Sequence, residues 1–321
     1  MKMKNNQSIN IYYHTDFDGI LSAVLVSLYL KEKGYKTKIA KPLEIMEKSK
    51  LDKLTFKKPF AIVDFPYNPK AFAYFDHHAS SEPKQISKET KYWAFDGKSK
   101  SCARIIFSLL KKKNKNLKKI VELCDIVDSA SYVREGISVN EILFPKSPVL
   151  ILNRALEIAK RDFKISFWNS IVEKLIKNQS LTKIVNEKKI QEYYKKALKN
   201  QEDALNALKE KAIYHENIGL VTYNTINKKW SRFGLSSIYP KSIIWLGLRT
   251  VVKGFVDISM SQNPWNSKTE KALTNIHIGE ILKKYGGGGH KYVGSARFNS
   301  YKKAKKAFEE ITQIIKEKII I

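Results

Sequence analysis

Short apolar runs that end at an acidic residue recur in the N-terminal third of the chain. These runs are Ile9–Tyr13 before HTDFDG at 14–19, Phe60–Val63 before Asp64, and Phe72–Phe75 before Asp76. Such runs alternate with helical patterns, which predicts βαβ units and a mostly parallel sheet. The carboxyl ends of parallel strands open on one crevice, where ligands bind. We therefore expect acids that lie far apart in the sequence to meet at one site.

The length of 321 residues favours two domains. The pattern over 1–150 predicts an α/β domain whose mostly parallel sheet is flanked by helices. Over 151–212 the strand signals vanish and a helical connector rich in Lys, Glu and Leu is predicted. Residues 213–321 predict a smaller α+β domain with a mixed sheet. The connector carries an apolar stripe that packs between the domains or mediates a homodimer, and the sequence leaves both open.

Composition excludes several classes of protein. Hydrophobic residues make up 43% of the chain, which excludes global disorder. Cys102 and Cys124 are the two cysteines, too few for a disulfide scaffold or a cysteine-rich zinc site. No apolar run is long enough to predict a membrane span, and the basic start lacks the apolar stretch of a secretory signal. We expect a reducing, cytoplasmic setting without a membrane partner.

The chain is strongly basic. It has 59 Lys and Arg against 31 Asp and Glu, a net charge of +28. Such a surface attracts nucleic acid, nucleotides or polyphosphate. A lysine-rich coding bias explains the same number without any polyanionic partner. Charge alone therefore assigns no function.

Histidines accompany the acids at the strand ends. The set consists of His14, Asp16, Asp18, Asp64, Asp76, His77 and His78. Carboxylates gathered in one crevice repel each other, so without a cation some would be protonated. Two divalent metals remove this conflict, and carboxylate and imidazole ligands suit Mn²⁺ or Mg²⁺, with Zn²⁺ or Co²⁺ as alternatives. Two ions about 3.5–4 Å apart activate a water for attack on phosphorus.

Each of these residues also has an ordinary structural explanation. Asp16 and Asp18 would cap the following helix, and Asp64 would be a turn residue. The histidines would be polar residues that follow a strand. The joint occurrence of all of them at successive strand ends favours the metal site, with Asp64, alone at its strand end, as the bridging ligand.

A glycine run stands near the end of the chain, in YGGGGHKYVGSARF at 285–298. Four glycines exceed what a helix end needs, and the next element is a predicted strand, so the run fits neither a P-loop nor a dinucleotide motif. Backbone N–H groups of the run, together with His290 and Arg297, would cradle a phosphate or a terminal nucleotide. The alternative is a flexible hinge.

Taken together, HTDFDG, AIVDFP, FDHH at 75–78, an acidic helix end at 125–128 and GGGGH at 286–290 resemble the DHH phosphoesterase superfamily with its associated C-terminal domain. The resemblance covers nearly the whole chain in the correct order. It implies a two-metal hydrolase, usually dependent on Mn²⁺. Two departures stand out: the first motif has the short spacing HTDFD, and Gln262 occupies the position where many members carry an arginine.

The resemblance implies a role for each site residue. His14 and Asp16 would hold one metal, Asp18, His77 and Asp128 the other, and Asp64 would bridge them. Asp125 is the alternative to Asp128. Asp76 would support a neighbouring histidine or ligate, and His78 would face the scissile phosphate. The substrate's distal phosphate or nucleotide would contact Gly287, Gly288, Gly289, His290 and Arg297.

The predicted function is hydrolysis of phosphodiester or phosphomonoester bonds in short single-stranded oligonucleotides or nucleotides, as in oligoribonucleases that also dephosphorylate pAp. The length leaves no room for the extra domain of full-length RecJ exonucleases. Alternatives are an exopolyphosphatase-like hydrolase, a RecJ-like single-strand exonuclease, and a non-catalytic protein that binds nucleic acid through its basic surface and aromatic side chains.

Overall fold

The computed structural model describes residues 7–44, 54–78, 82–224, 230–250 and 254–319. The strands are β1 Ile9–His14, β2 Thr37–Leu43, β3 Phe60–Val63, β4 Ala73–Asp76, β5 Tyr92–Phe95, β6 Ile213–His215, β7 Leu220–Asn224, β8 Ile244–Thr250, β9 Val256–Gln262, β10 Gly288–His290 and β11 Val293–Phe298. The helices are α1 Phe17–Glu32, α2 Cys102–Leu109, α3 Lys115–Asp128, α4 Val139–Leu143, α5 Pro148–Ala159, α6 Ile165–Ile176, α7 Leu181–Val185, α8 Lys188–Lys211, α9 Gly234–Ile238, α10 Thr269–Ala272, α11 Ile278–Lys283 and α12 Tyr301–Lys318.

The chain divides into two compact units. Unit 1 comprises Met1–Gly136 and Pro145–Lys195, and unit 2 comprises Ile137–Phe144 and Lys196–Ile321. The boundary falls inside α8, so the segment predicted as a connector over 151–212 divides between the two units. The functions assigned to the three predicted segments stay predictions.

Unit 1 contains a parallel sheet in the order β2-β1-β3-β4-β5. Every pair in it is parallel in the described residues, which confirms the prediction of a parallel sheet flanked by helices. Strands β3 and β4 are buried along their whole length. Burial on both faces explains why they read as continuous apolar runs rather than as alternating ones.

Helix α1 is the central helix of unit 1. It is buried nearly all round, because it contacts β1, α2, α3 and α6. Its start is fixed by Asp16, whose side chain accepts a hydrogen bond from the Gly19 N–H at 2.9 Å. Gly19 has no alternative here, since a Cβ would lie 2.1 Å from the His14 carbonyl oxygen. The HTDFDG sequence therefore sets the distance between β1 and α1.

Unit 2 contains a mixed sheet in the order β10-β11-β9-β8-β7-β6. Strands β7 and β8 are parallel and the other neighbours are antiparallel, as the α+β prediction required. Helix α12 buries Ala304, Ala307, Ile311 and Ile315 against one face of this sheet. These positions form one stripe of the helix.

Three short strands were not predicted. β5 and β6 are short strands of three or four residues, and β10 lies in the glycine run that was expected to be a loop. In the described residues no helix is long and apolar enough to cross a membrane. The aromatic side chains differ in burial: Trp245 is buried in unit 2, whereas Trp93 of β5 is 52% exposed.

Candidate metal site

The residues at the ends of β1, β3 and β4 lie together at the carboxyl edge of the parallel sheet. β1 ends at His14, and its Nδ1 lies 2.6 Å from Asp16 Oδ2 and 3.5 Å from Asp64 Oδ2. On the other side, His77 Nε2 lies 3.8 Å from Asp64 Oδ1. Asp64 therefore stands between the two histidines, as a bridging residue must.

Asp64 adopts a left-handed backbone conformation, with φ of 55°. Its N–H donates to the Phe75 carbonyl at 2.9 Å, which extends the β3–β4 pairing by one residue. The residue is 2% exposed. The turn thus buries a carboxylate at the strand end at the cost of an uncommon conformation for a residue with a Cβ.

The carboxylate of Asp18, a residue of α1, is buried against the start of α2. Its Oδ2 accepts from the Cys102 N–H at 2.7 Å and its Oδ1 from the Ala103 N–H at 2.8 Å. These N–H groups have no partner inside the helix, and the positive end of the helix dipole favours the carboxylate. Asp18 is thereby held with Oδ2 3.6 Å from His77 Nε2.

His77 is oriented by a backbone carbonyl. Its Nδ1 lies 3.2 Å from the Ser99 carbonyl oxygen, which can only accept a hydrogen bond. Nδ1 therefore carries the proton, and Nε2 presents a lone pair 3.3 Å from Asp128 Oδ2. This is the tautomer a metal-binding imidazole requires.

Asp76 and His78 form a second pair. Asp76 is fully buried, accepts from the Tyr74 hydroxyl at 3.1 Å and from the His77 N–H at 2.8 Å, and lies 2.9 Å from His78 Nδ1. Asp76 thus contacts residues next to it in the sequence, and of the two histidines it contacts the side chain of His78. The His78 side chain is 38% exposed, more than that of His14 or His77.

Two sets of three ligand atoms lie within 4.8 Å of one another: His14, Asp16 and Asp64, and Asp18, His77 and Asp128. A third set joins Asp64, His77 and His78. The structure thus brings together all six residues predicted as metal ligands. Their roles as ligands stay a prediction.

Asp125 lies outside these sets. Its Oδ1 accepts from the Ser101 hydroxyl at 2.6 Å, and its Oδ2 accepts from Arg104 Nε at 2.8 Å. Both oxygens are engaged away from His77. Of the two candidates at the end of α3, the geometry favours Asp128.

The electrostatics of the site demand positive charge. Burial, and then the charges of Asp18 and Asp16, raise the pKa of Asp64 well above its usual value. Burial and the charge of Asp18 raise the pKa of Asp128 to about 8. Burial also acts to raise the pKa of Asp16, but the charges of His14 and Lys160 and the hydrogen bond from the Gly19 N–H outweigh it, and the pKa falls below its usual range.

Several buried atoms of the site lack a hydrogen-bond partner among the described residues: both carboxylate oxygens of Asp64, His14 Nδ1 and His77 Nε2. Buried polar atoms are rarely left unpaired. These four belong to the sets described above, and the donors are oxygen and imidazole nitrogen without thiolate. The residues therefore fit two divalent cations of the Mn²⁺ or Mg²⁺ type.

The glycine run forms a hairpin in unit 2 instead of a loop. β10 pairs with β11, and a Cβ on Gly287 or Gly289 would lie 2.3 Å from a backbone oxygen of β11. Internal packing thus explains these two glycines. A Cβ on Gly288 would meet no atom within 4 Å, so packing does not require this glycine; the space at Gly286 is equally open, but its backbone φ is 75°.

Of the remaining predicted substrate contacts, His290 is exposed at the end of β10. Arg297 is engaged: its Nε donates to Asp257 Oδ1 at 2.7 Å and its Nη2 to Asp257 Oδ2 at 3.0 Å. The predicted contacts of Gly287–Gly289, His290 and Arg297 with substrate stay predictions.

Several site residues escaped the sequence analysis. Ser99 and the N–H groups of Cys102 and Ala103 act through the backbone, which leaves no side-chain signal. Ser101 caps the start of α2, where its side chain accepts from the Arg104 N–H. Its hydrogen bond to Asp125, and the pairing of Asp125 with Arg104, depend on how α2 and α3 pack.

No family model and no curated protein matches the sequence. Among solved structures, the pGpG-specific phosphodiesterase PggH from Vibrio cholerae has 19% identity and a TM-score of 0.71, covering 97% of this chain and 100% of that chain. RecJ from Thermus thermophilus bound to Mn²⁺ has 13% identity and a TM-score of 0.59, covering 96% of this chain and 52% of that one. The Mg²⁺ complex of the same RecJ has 11% identity and a TM-score of 0.50, again covering half of RecJ. These proteins belong to the DHH superfamily, so the resemblance drawn from the motifs is confirmed at the level of the fold.

Proposed function

We propose that the chain is a metal-dependent phosphoesterase of the DHH superfamily. The observation that carries the proposal is the position of Asp64: a buried carboxylate with two unpaired oxygens lies between a His14–Asp16 pair and an Asp18–His77–Asp128 set. No role in folding explains this gathering of buried acids, because their mutual repulsion destabilises the protein.

His14, Asp16 and Asp64 would hold one divalent cation, and Asp18, His77 and Asp128 the other, with Asp64 shared. When bound, the two cations supply the positive charge that activates a water and neutralises the phosphate in the transition state. The protein contributes a preformed geometry: the α2 N-terminus holds Asp18, and the Ser99 carbonyl holds His77.

His78 is proposed to contact the scissile phosphate. Its hydrogen bond to Asp76 raises the pKa of His78, so the imidazolium persists to a higher pH than in a free histidine. A half-exposed cation at this point would stabilise the phosphate's charge and donate a proton from Nε2 to the leaving oxygen. Asp76 would act on substrate only through the orientation of His78.

The substrate class we propose is a short oligonucleotide or nucleotide. One feature supports it: the similarity over the full length of a phosphodiesterase named for pGpG. The net charge of +28 suits any polyanion and does not select among them. Gly288, which has open space on its Cβ side, and the exposed His290 would contact the distal end of the substrate.

A substrate panel tests the proposal on the full chain. It comprises pGpG, pApA, pAp, a 20-nucleotide single-stranded DNA and polyphosphate, each with Mn²⁺, with Mg²⁺ and with a chelator. We expect metal-dependent cleavage of the dinucleotides to mononucleotides, and slower turnover of the long DNA. Hydrolysis of polyphosphate alone would favour the exopolyphosphatase alternative. Absence of turnover on every substrate with either metal would contradict the proposed function.

A further inference from the structure

Asp125 and its two partners form a buried network beside the Asp18–His77–Asp128 set. Asp125 is 5% exposed, and its carboxylate is shared between the Ser101 hydroxyl and the Arg104 guanidinium. A buried carboxylate held by three hydrogen bonds is fully compensated, so it needs no metal. The question is what this network stabilises.

The network anchors the segment Ser99–Arg104, which orients two of the three residues in that set. At one end, the Ser99 carbonyl fixes the tautomer and ring of His77. In the middle, the N–H groups of Cys102 and Ala103 hold both oxygens of Asp18. At the other end, Ser101 and Arg104 bind Asp125.

Asp125 also lies one helical turn before Asp128, the third member of the set. Residues three apart share one face of a helix, so the attachment of Asp125 to α2 fixes the rotation and depth of α3 at Asp128. Ser101 connects the start of α2 with α3. Its hydroxyl accepts from the Arg104 N–H at 3.0 Å as the cap of α2, and it donates to Asp125 of α3. The Ser101 side chain therefore connects the segments that orient Asp18, His77 and Asp128.

We infer that Asp125 is a positioning residue that sets the metal affinity of the Asp18–His77–Asp128 set without binding the metal. The inference rests on the proposed function, because that function supplies the metal. The His14–Asp16–Asp64 set depends on β1, β3 and the start of α1, none of which contacts Asp125 through a described hydrogen bond. The effect of Asp125 should therefore be confined to one of two ions.

The test is a titration of the metal-free full chain with Mn²⁺. Calorimetry measures the dissociation constants, and electron paramagnetic resonance shows whether the bound ions are magnetically coupled. The wild type should bind two ions and give the spectrum of a magnetically coupled pair. Asp125→Asn should keep one dissociation constant and weaken the other by about 10- to 100-fold, as the loss of a supporting group around a metal site typically does. At one equivalent of Mn²⁺ its spectrum should be that of an isolated ion.

Two further variants separate positioning from direct binding. Ser101→Ala and Arg104→Gln leave the Asp125 carboxylate in place, yet should weaken the same ion, and Arg104→Lys should restore part of the affinity. If Asp125 binds metal itself, Asp125→Asn will lose an ion while these variants keep both constants. Glu122→Gln, an exposed change on the same helix, is the matched control and should behave as the wild type.

The possible failures are distinguishable. Two unchanged constants and a coupled spectrum in Asp125→Asn would overturn the inference and leave the proposed function intact. Equal weakening of both ions would also overturn it, because the effect would then be global. A wild-type chain that takes up no Mn²⁺ would contradict the proposed function. Should Asp125→Asn fail to fold, the Ser101 and Arg104 variants decide.

Discussion

Two features of Asp64 lower the stability of the folded protein. Its backbone is left-handed, and its buried carboxylate has no hydrogen-bond partner among the described residues. Both costs are of the kind that proteins tolerate at functional sites. Asn tolerates the left-handed region and matches the shape of Asp, so Asp64→Asn isolates the contribution of the charge.

We predict that Asp64→Asn lowers metal-dependent hydrolysis by roughly a thousand-fold or more, since both cations lose a shared ligand. The same change should raise the melting temperature of the metal-free protein, because the raised pKa of Asp64 marks an unfavourable charge. Turnover and calorimetric melting in chelator measure the two effects, with Glu122→Gln as control. Wild-type turnover in the variant would contradict the assignment.

The acids also predict how stability depends on pH. A carboxyl whose pKa is raised by folding binds its proton more tightly in the folded state, so the folded state loses stability as pH rises between the two pKa values. For Asp128 this window runs from the ordinary value of 3.8 to about 8. The raised pKa of His78 acts in the same direction.

The metal-free protein should therefore melt at a lower temperature at pH 8 than at pH 6. Asp128 alone contributes up to about 1.4 kcal/mol per pH unit within its window. Asp128→Asn should flatten the dependence, and saturating Mn²⁺ should reverse it, because the metal binds the deprotonated groups. Melting curves at four pH values measure this, and a metal-free protein that is more stable at pH 8 would contradict it.

At the scale of elements, the sequence predicted best where burial is complete. β3 and β4 were found because strands buried on both faces are continuous apolar runs, and the acids after them marked the site. β5 was missed because it is short and only partly buried. β10 was missed because glycine has no strand preference, and its pairing with β11 is the effect of tertiary structure.

The supports of the site were harder to predict than its ligands. Asp18 and His77 stand in recognisable motifs, whereas the groups that orient them are backbone N–H and carbonyl groups at a helix start 22 to 85 residues away. The choice between Asp125 and Asp128 likewise depended on helix rotation, which the spacing alone does not fix.

The glycine hairpin allows a paired test of substrate contact. Gly287→Ala should destabilise the protein by about 1–3 kcal/mol, because its Cβ meets the Ser295 carbonyl at 2.3 Å. Gly288→Ala has open space and should leave the melting temperature unchanged. If Gly288 contacts substrate, this variant should raise KM for pGpG about ten-fold. An unchanged KM would contradict a substrate role for this part of the hairpin.

On the scale of the whole molecule, the net charge of +28 has two explanations, a surface that binds polyanions and a coding bias. The dependence of kcat/KM on salt concentration distinguishes them. If lysines contact substrate phosphates, log kcat/KM should fall linearly with log salt, by about 0.7 per phosphate contact on a single strand. The slope should be steeper for a pentanucleotide than for pGpG. Slopes near zero for both would favour the coding bias.

The division into two units also belongs to this scale. Composition did not predict the position of the boundary, because the boundary lies inside the continuous helix α8. The first turns of α8 belong to unit 1 and the remainder belongs to unit 2. A change of partner along a helix leaves no break in its periodicity.

The most direct measurement is a crystal structure of the full chain soaked in Mn²⁺, with anomalous scattering recorded at the manganese edge. Two peaks should lie about 3.5–4 Å apart. One should contact His14 and Asp16 and the other Asp18, His77 and Asp128, with Asp64 touching both. Absence of anomalous density among these six side chains, in crystals that bind Mn²⁺ elsewhere, would contradict the account.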